Sequence, residues 1–165
     1  MSEKKKILMI DDEKDLCELV KANLEDTGQF EVTTLSNPLD AEKVVAQAVP
    51  DLILMDVVMP GRKGNEIVQA LKKNDATKRI PIIMVSGKCE IVFNKGKNEF
   101  KWLPNNPLAK QRGDLPEAKG AEALAQAYGV ADYVAKPFTT ELLVEVINDV
   151  LKRTGKAAPP PDEAG

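Results

Sequence analysis

Four apolar runs along the chain each end on a polar residue: ILMIDD at Asp11 and Asp12, LILMD at Asp56, IIMVS at Ser86 and YVAK at Lys136. Runs that are apolar at successive positions fit strands buried on both faces, as in a parallel sheet covered by helices. Side by side in one sheet, their ends gather three acids, a hydroxyl and an amine at a single edge. Open α/β sheets bind ligands at that edge.

The stretches between the runs alternate with them. Lys6 to Ile10 reads as a buried strand, followed by a helix with the apolar stripe Leu16, Leu19, Val20 and Leu24, stopped by Gly28. Phe30 to Leu35 reads as a second strand. Asn37 and Pro38 then make a cap and first-turn pair for a helix buried through Ala41, Val44, Val45 and Ala48. Leu52 to Met55 is the third predicted strand, a helix through Ile67, Val68 and Leu71 follows, and Ile80 to Val85 is the fourth. Towards the end come a helix from Gly120 to Tyr128, a short strand from Ala131 to Ala135, and a helix from Thr139 to Lys152. The last of these carries Leu142, Leu143, Val146, Ile147, Val150 and Leu151 on one side. Five strands alternating with five helices predict an α/β domain: a five-stranded parallel sheet with helices on both faces.

A chain of 165 residues, 43% hydrophobic and 30% charged, is expected to form one domain with a core of its own. No segment approaches the apolar length that spans a bilayer, and the opening MSEKKKILMI meets two acids too soon for a secretory signal, so the expectation is a cytoplasmic protein with no membrane partner. Cys17 falls on a helix's apolar face and Cys89 stands alone, a spacing without the look of a disulfide framework. There is no histidine, which excludes histidine acid/base chemistry, histidine metal ligation and a role as phosphohistidine donor. The closing RTGKAAPPPDEAG is rich in proline, alanine and charge, and residues 154–165 are expected to be a disordered tail that leaves no room for a further domain.

One interval breaks the regular spacing. Ser86 and Lys136 stand 50 positions apart in the sequence, whereas a loop, a helix, another loop and a short strand need only about 20 to 25 residues. The surplus falls at about 88–119. It contains CEIVF and EFKWL on either side of NKGKN, the pattern of a hairpin turning near Gly96, with LPNNPLAKQRGDLPE as irregular loop. It also holds Trp102, Phe93 and Phe100, with seven basic residues against four acidic ones. Aromatic and basic residues together are the ingredients of nucleic-acid stacking surfaces, but the whole chain carries a net charge of -3. A flap or protein-docking surface is therefore expected in preference to a nucleic-acid partner.

Three carboxylates at one edge repel one another. At about 4 Å and an effective dielectric near 20, each pair costs about 4 kcal/mol, so three pairs rival the roughly 5 to 15 kcal/mol by which a domain is stable. The cluster therefore needs cations. Lys136 offsets one charge, and a hard divalent ion of the magnesium kind suits the rest. Such an ion shares its remaining positions with phosphate oxygens, for which Lys136 offers a point charge and Ser86 a hydroxyl donor. One carboxylate then becomes a candidate nucleophile. Asp56 stands alone and central, while Asp11 and Asp12 form the adjacent pair suited to metal, although Asp12 also suits the cap of the first helix.

The combination PDLILMDVVMPGRKG, with DD upstream and MVSG and YVAKPF downstream, resembles the receiver domain of two-component response regulators from about Lys5 to Arg153, apart from the surplus segment. The resemblance implies a flavodoxin-like (βα)5 receiver domain over 1–153, standing alone and interrupted by an insertion at 88–119. It implies that Asp56 accepts a phosphoryl group from a histidine kinase or histidine phosphotransfer protein, with Mg2+ required. Asp11, Asp12 and Asp56 take the metal positions, together with the backbone carbonyl of Val58. Ser86 takes the place of the switch hydroxyl, Tyr133 that of the switch aromatic, and Lys136 that of the phosphoryl-binding lysine. Tyr133 in a short strand also suits half-buried packing. Val58 and Lys88 occupy positions that govern water access in the family, and an apolar side chain with a long amine there implies slow self-dephosphorylation. Gly61 and Gly64 are expected to serve the turn after Met59 and Pro60, and Pro137 to hold Lys136 extended.

Two other readings compete. A magnesium phosphatase or phosphotransferase of the haloacid-dehalogenase kind also uses an aspartate after a buried strand, but needs a second acid two residues on, where this chain has Val58. A phosphorylation-independent binding module would not need the full set of site residues. A nucleotide switch lacks its GxxxxGK[ST] loop.

Overall fold

In the computed structural model, which describes residues 3–56, 59–62, 64–86, 89–94, 99–104, 130–136 and 138–155, the apolar runs become strands. In chain order these are β1 (Lys5–Ile10), β2 (Phe30–Leu35), β3 (Leu52–Asp56), β4 (Ile82–Ser86), β5 (Cys89–Asn94), β6 (Glu99–Pro104) and β7 (Asp132–Ala135). The α-helices among the described residues are α1 (Lys14–Asp26), α2 (Ala41–Ala48), α3 (Gly64–Lys73) and α4 (Thr140–Arg153). Five strands form one parallel sheet in the order β2-β1-β3-β4-β7. The strand and helix pattern predicts such a parallel sheet, and its order is the flavodoxin-like doubly wound arrangement that the resemblance implies. The order reverses between β1 and β3, so a crevice opens beyond their carboxyl ends.

Alternation along the strands divides the core in two. Ile7 and Met9 of β1, Leu52 and Leu54 of β3, Ile83 and Val85 of β4 and Val134 of β7 pack with Cys17, Val20 and Leu24 of α1 and Leu143, Ile147, Val150 and Leu151 of α4. The intervening Leu8, Ile10, Ile53, Met55, Ile82 and Met84 pack with Val45 of α2 and Ile67, Val68 and Leu71 of α3. Side chains pointing to opposite faces at successive positions give each strand two buried faces, which is why the runs read as continuously apolar.

Local chemistry sets the ends. α1 closes on Gly28 at φ 76, whose N–H reaches Glu25 O at 3.0 Å, a left-handed turn that glycine adopts without a Cβ clash. The Asn37 side chain accepts from Leu39 N, with Pro38 next, but the pair opens a single 3₁₀ turn (Pro38–Asp40) that leads into α2. Thr139 caps α4 by accepting from Leu142 N, so that helix begins one residue later than expected.

Other boundaries differ for identifiable reasons. β4 begins at Ile82 because Ile80 N is engaged in a turn to Thr77 O and Pro81 has no N–H to give. Leu19, expected in the α1 stripe, is 58% exposed, and Leu142 of α4 is 44% exposed. The buried rows run instead through Cys17, Val20 and Leu24, and through Leu143, Ile147 and Val150. Gly61 takes the expected turn at φ 87, but Gly64 is already the first residue of α3. The predicted hairpin appears as the antiparallel pair β5 and β6, with Ile91 opposite Trp102 and Phe93 opposite Phe100. The predicted turn at Gly96, the loop after Pro104, the helix from Gly120 to Tyr128, Pro137 and the tail beyond Gly155 lie outside the described residues.

Val49 stands out as a β-branched residue at φ 43, directly after α2 and 60% exposed. A left-handed conformation costs an L-residue roughly 1–2 kcal/mol and is normally given to glycine at this place in a helix terminus. Val49→Gly is expected to stabilise the protein by about 1 kcal/mol, since the exposed side chain gives up little packing. Urea denaturation is the measurement, and an unchanged or lowered midpoint would show the turn to be unstrained.

Candidate functional site

Asp11 follows the last residue of β1 and is held from three directions. Its N–H donates to Leu35 O of β2 at 3.1 Å, its Oδ1 accepts from Glu13 N at 2.9 Å, and its Oδ2 accepts from Lys136 Nζ at 2.7 Å. The first helix is thus capped at its start by Asp11, with Glu13 as the N-cap residue, and not by Asp12. Asp56 ends β3 with its neighbour Val85 of β4 in register. Asp11 and Asp56 are almost wholly buried and Asp12 partly so. One oxygen from each of Asp11, Asp12 and Asp56 falls within 4.8 Å of the others.

Lys136 follows β7 and reaches across two strands. Its Nζ lies 3.6 Å from Asp56 Oδ2 and 3.7 Å from Glu13 Oε1, besides the shorter contact with Asp11. Burial pulls the ammonium's pKa down, but the hydrogen bond to Asp11 and the charges of Asp56, Asp11 and Glu13 outweigh it, so the pKa is raised. The sign follows directly. A raised lysine contributes its stability fully below the unfolded pKa and loses it only as pH climbs through the folded value, so the ammonium is charged throughout the neutral range.

Ser86 ends β4, opposite Ala135 and therefore beside the residue that precedes Lys136. Tyr133 lies on β7 opposite Met84, half-buried against the core layer of α2 and α3. The structure thus brings Asp11, Asp12, Asp56 and Lys136 into one cluster and sets Ser86 at the same sheet edge. Val58, Lys88 and Pro137 lie outside the described residues.

Three neighbours were not predicted from sequence. Glu13 joins the Lys136 ion cluster. Cys17 lies beneath it, its Sγ donating to Asp11 O at 3.4 Å, and burial followed by the Asp11 charge pushes its pKa up to about 12. That thiol is an inert core group. Arg62, in the turn after Asp56, pairs with Glu42 of α2, and the hydrogen bond to Glu42 raises its pKa. The latch ties the loop after Asp56 to the neighbouring helix. Adjacency to Asp11 and Asp12 was the only sequence signal for Glu13.

The model of the response regulator receiver domain matches residues 7–96. The chain belongs to that family. It is 33% identical over 151 residues to the phosphate regulon transcriptional regulatory protein PhoB of Pseudomonas aeruginosa, covering 92% of this chain and 53% of that protein. It is 31% identical over 148 residues to the protein of the same name from Rhizobium meliloti, covering 90% and 52%. The chain therefore spans about half the length of the curated relatives it matches. Among solved structures it resembles a receiver domain protein of Clostridium thermocellum, with TM-score 0.64, 27% identity and 92% of this chain and 97% of that one covered. It also resembles the chemotaxis protein CheY4 of Vibrio cholerae, with TM-score 0.62, 27% identity and 90% and 100% covered.

For a receiver domain, the donor set fits a hard divalent cation. Carboxylate oxygens from three residues converge at the sheet edge, and oxygen donors of this kind are what magnesium takes. Without such an ion, Lys136 is the cation among the described residues that faces these acids. Asp56→Asn is expected to stabilise the metal-free protein by about 1–2 kcal/mol, by removing a buried like charge while keeping the shape. Urea denaturation in the presence of a chelator reads it. Destabilisation by the amide would show the Lys136 contact to outweigh the repulsion from Asp11 and Asp12.

Proposed function

We propose that the chain is a phosphorylation-dependent signalling switch of a two-component phosphorelay, with Asp56 as phosphoacceptor. The observation that carries this reading is the single buried cluster in which Lys136 Nζ meets both Asp11 and Asp56 while Asp12 completes a set of carboxylates within 4.8 Å. The match to the receiver family supports it.

Mg2+, when bound, supplies positive charge that draws in the phosphoryl group and neutralises the charge developing on it. Asp11, Asp12, Asp56 and the Val58 carbonyl would hold it. An Asp56 carboxylate oxygen attacks phosphorus as the bond between phosphorus and the donor's imidazole nitrogen breaks. The imidazole leaves and takes a proton from water, and the product is a mixed anhydride on Asp56. Lys136, already within 3.6 Å of Asp56 Oδ2, turns its ammonium onto a phosphoryl oxygen. Donor and acceptor are held by binding and electrostatics, with no protein acid or base in the step. The chain catalyses only its own phosphorylation and dephosphorylation.

The donor is a histidine kinase or histidine phosphotransfer protein, and the target is a protein that reads the changed face. Phosphorylation replaces one charge on Asp56 by about two and adds acceptor oxygens. Ser86, at the end of β4, moves onto the new group, and Tyr133 turns inward behind it in a population shift. The hairpin of β5 and β6 lies in sequence between β4 and β7, which supports a receiver domain over 1–153 carrying an insertion at 88–119. No helix among the described residues is long and apolar enough to cross a membrane, in keeping with action in the cytoplasm, where such donors present their phosphohistidines. By the resemblance Val58 and Lys88 hold the water-access positions, and an apolar side chain with a long amine there would slow hydrolysis of the phosphoryl group.

The test incubates the protein with Mg2+ and acetyl phosphate and weighs it beside Asp56→Asn. A phosphate-sized gain in the wild type alone is expected. A gain in both, or in neither, sinks the assignment. Phosphorylated protein is also expected to show shifted Ser86 and Tyr133 resonances by NMR, and unchanged spectra there would rule out the coupled switch.

A further inference from the structure

Lys136 meets three carboxylates, and the proposed chemistry takes two of them away. Asp11 is drawn towards the metal and Asp56 into a bond with phosphorus. Glu13 is the third, its Oε1 3.7 Å from Nζ on a side chain 42% exposed. It is the one partner of Lys136 among these that neither step consumes.

Local structure sets Glu13 beside the ammonium. It holds the N-cap of α1, a place where Ser, Thr, Asp or Asn serve best, yet its side chain makes no capping hydrogen bond to the helix. The cap comes instead from Asp11 Oδ1, which accepts from Glu13 N. The Glu13 carboxylate is directed towards the ammonium, and both residues line one end of a groove of about 540 Å³ between α1 and α4.

We propose that Glu13 is a positioning residue for Lys136, holding the ammonium at the mouth of the site while Asp11 and Asp56 change partners. This rests on Asp56 being the phosphoacceptor. Asp11 holds Lys136 at 2.7 Å, a full ångström closer than Glu13 does. Without Glu13, Lys136 settles wholly on Asp11 and occupies an oxygen that the cation needs. With it, the ammonium keeps a counter-charge on the solvent side and stays within reach of Asp56.

The experiment uses two variants. Glu13→Gln removes the charge, and Glu13→Asp keeps it but draws it back by one carbon. In the metal-free protein, the Lys136 Nζ resonance is expected to shift in both variants, while the amide resonances of α1 stay in place. With Mg2+ and acetyl phosphate, both are expected to phosphorylate Asp56 about threefold more slowly at saturating Mg2+, the size of a partly exposed ion pair. In a Lys136→Met background Glu13→Gln is expected to add nothing. Glu13→Asp that matches wild type in both readouts would reduce Glu13 to net charge. An undiminished effect of Glu13→Gln in the Lys136→Met background would show that it acts without Lys136. Wild-type protein that takes no phosphate fails at the earlier step and removes the phosphoacceptor reading together with this role.

Discussion

Among the described residues, three aspartates share one sheet edge with the Lys136 ammonium, and the geometry around them answers that constraint. Asp11 and Asp56 are almost completely buried, where an uncompensated carboxylate is far costlier than on the surface. The arrangement tolerates them by giving each fixed positive or donor groups. Asp11 receives the Glu13 N–H and the Lys136 ammonium at once, and Asp56 shares that ammonium. Because Lys136 comes from the far edge strand and Asp11 from a central one, the cluster ties together the two sides of the sheet. The negative charge left over makes the edge a set of oxygen donors of the kind that suits a hard divalent cation.

Strand order puts these groups together. With β1 and β3 adjacent and the order reversing between them, the ends of both strands open into one crevice. The alternation of side chains then gives the two core layers different duties. Asp56 continues the row of Leu52 and Leu54, whose layer contains α1 and α4, the helices that flank Lys136 and Glu13. Tyr133 belongs to the other layer, with Met84 as its paired neighbour. Charge is compensated on one side of the sheet, and the aromatic packs on the other.

Much of this was legible in the sequence because it follows from short-range patterns. Strands buried on both faces leave continuous apolar runs, and four such runs ending in Asp11, Asp56, Ser86 and Lys136 are enough to place one edge. Even the hairpin showed, through apolar segments on either side of a turn signal, and its strands pair as Ile91 with Trp102 and Phe93 with Phe100. The misses have tertiary or geometric causes. Leu19 and Leu142 satisfy a helical hydrophobic pattern by type, but the rotation of each helix is set by what it packs against, and both fall off the buried row. Ile80 looks like strand until Pro81 interrupts the ladder. Asp12, read first as a metal acid, also suits the helix cap, but it is Asp11 Oδ1 that accepts from Glu13 N. Glu13 carries no local signal beyond its adjacency to Asp11 and Asp12, because its contact is with a residue more than a hundred positions away.

For the proposed phosphorylation of Asp56, the placement of Tyr133 on the opposite face from the Asp56 row makes the strand ends the route between them. Ser86 stands where such a route would run, two positions beyond Met84 on β4 and in register with Ala135, next to Lys136. β4 is also the strand from which the chain enters the hairpin, with β5 starting three residues after Ser86. Three residues span at most about 11 Å, so the base of the hairpin lies within that distance of the strand end. The β4 terminus thus adjoins two places, the strand that carries the half-buried Tyr133 and, within that distance, the base of the hairpin.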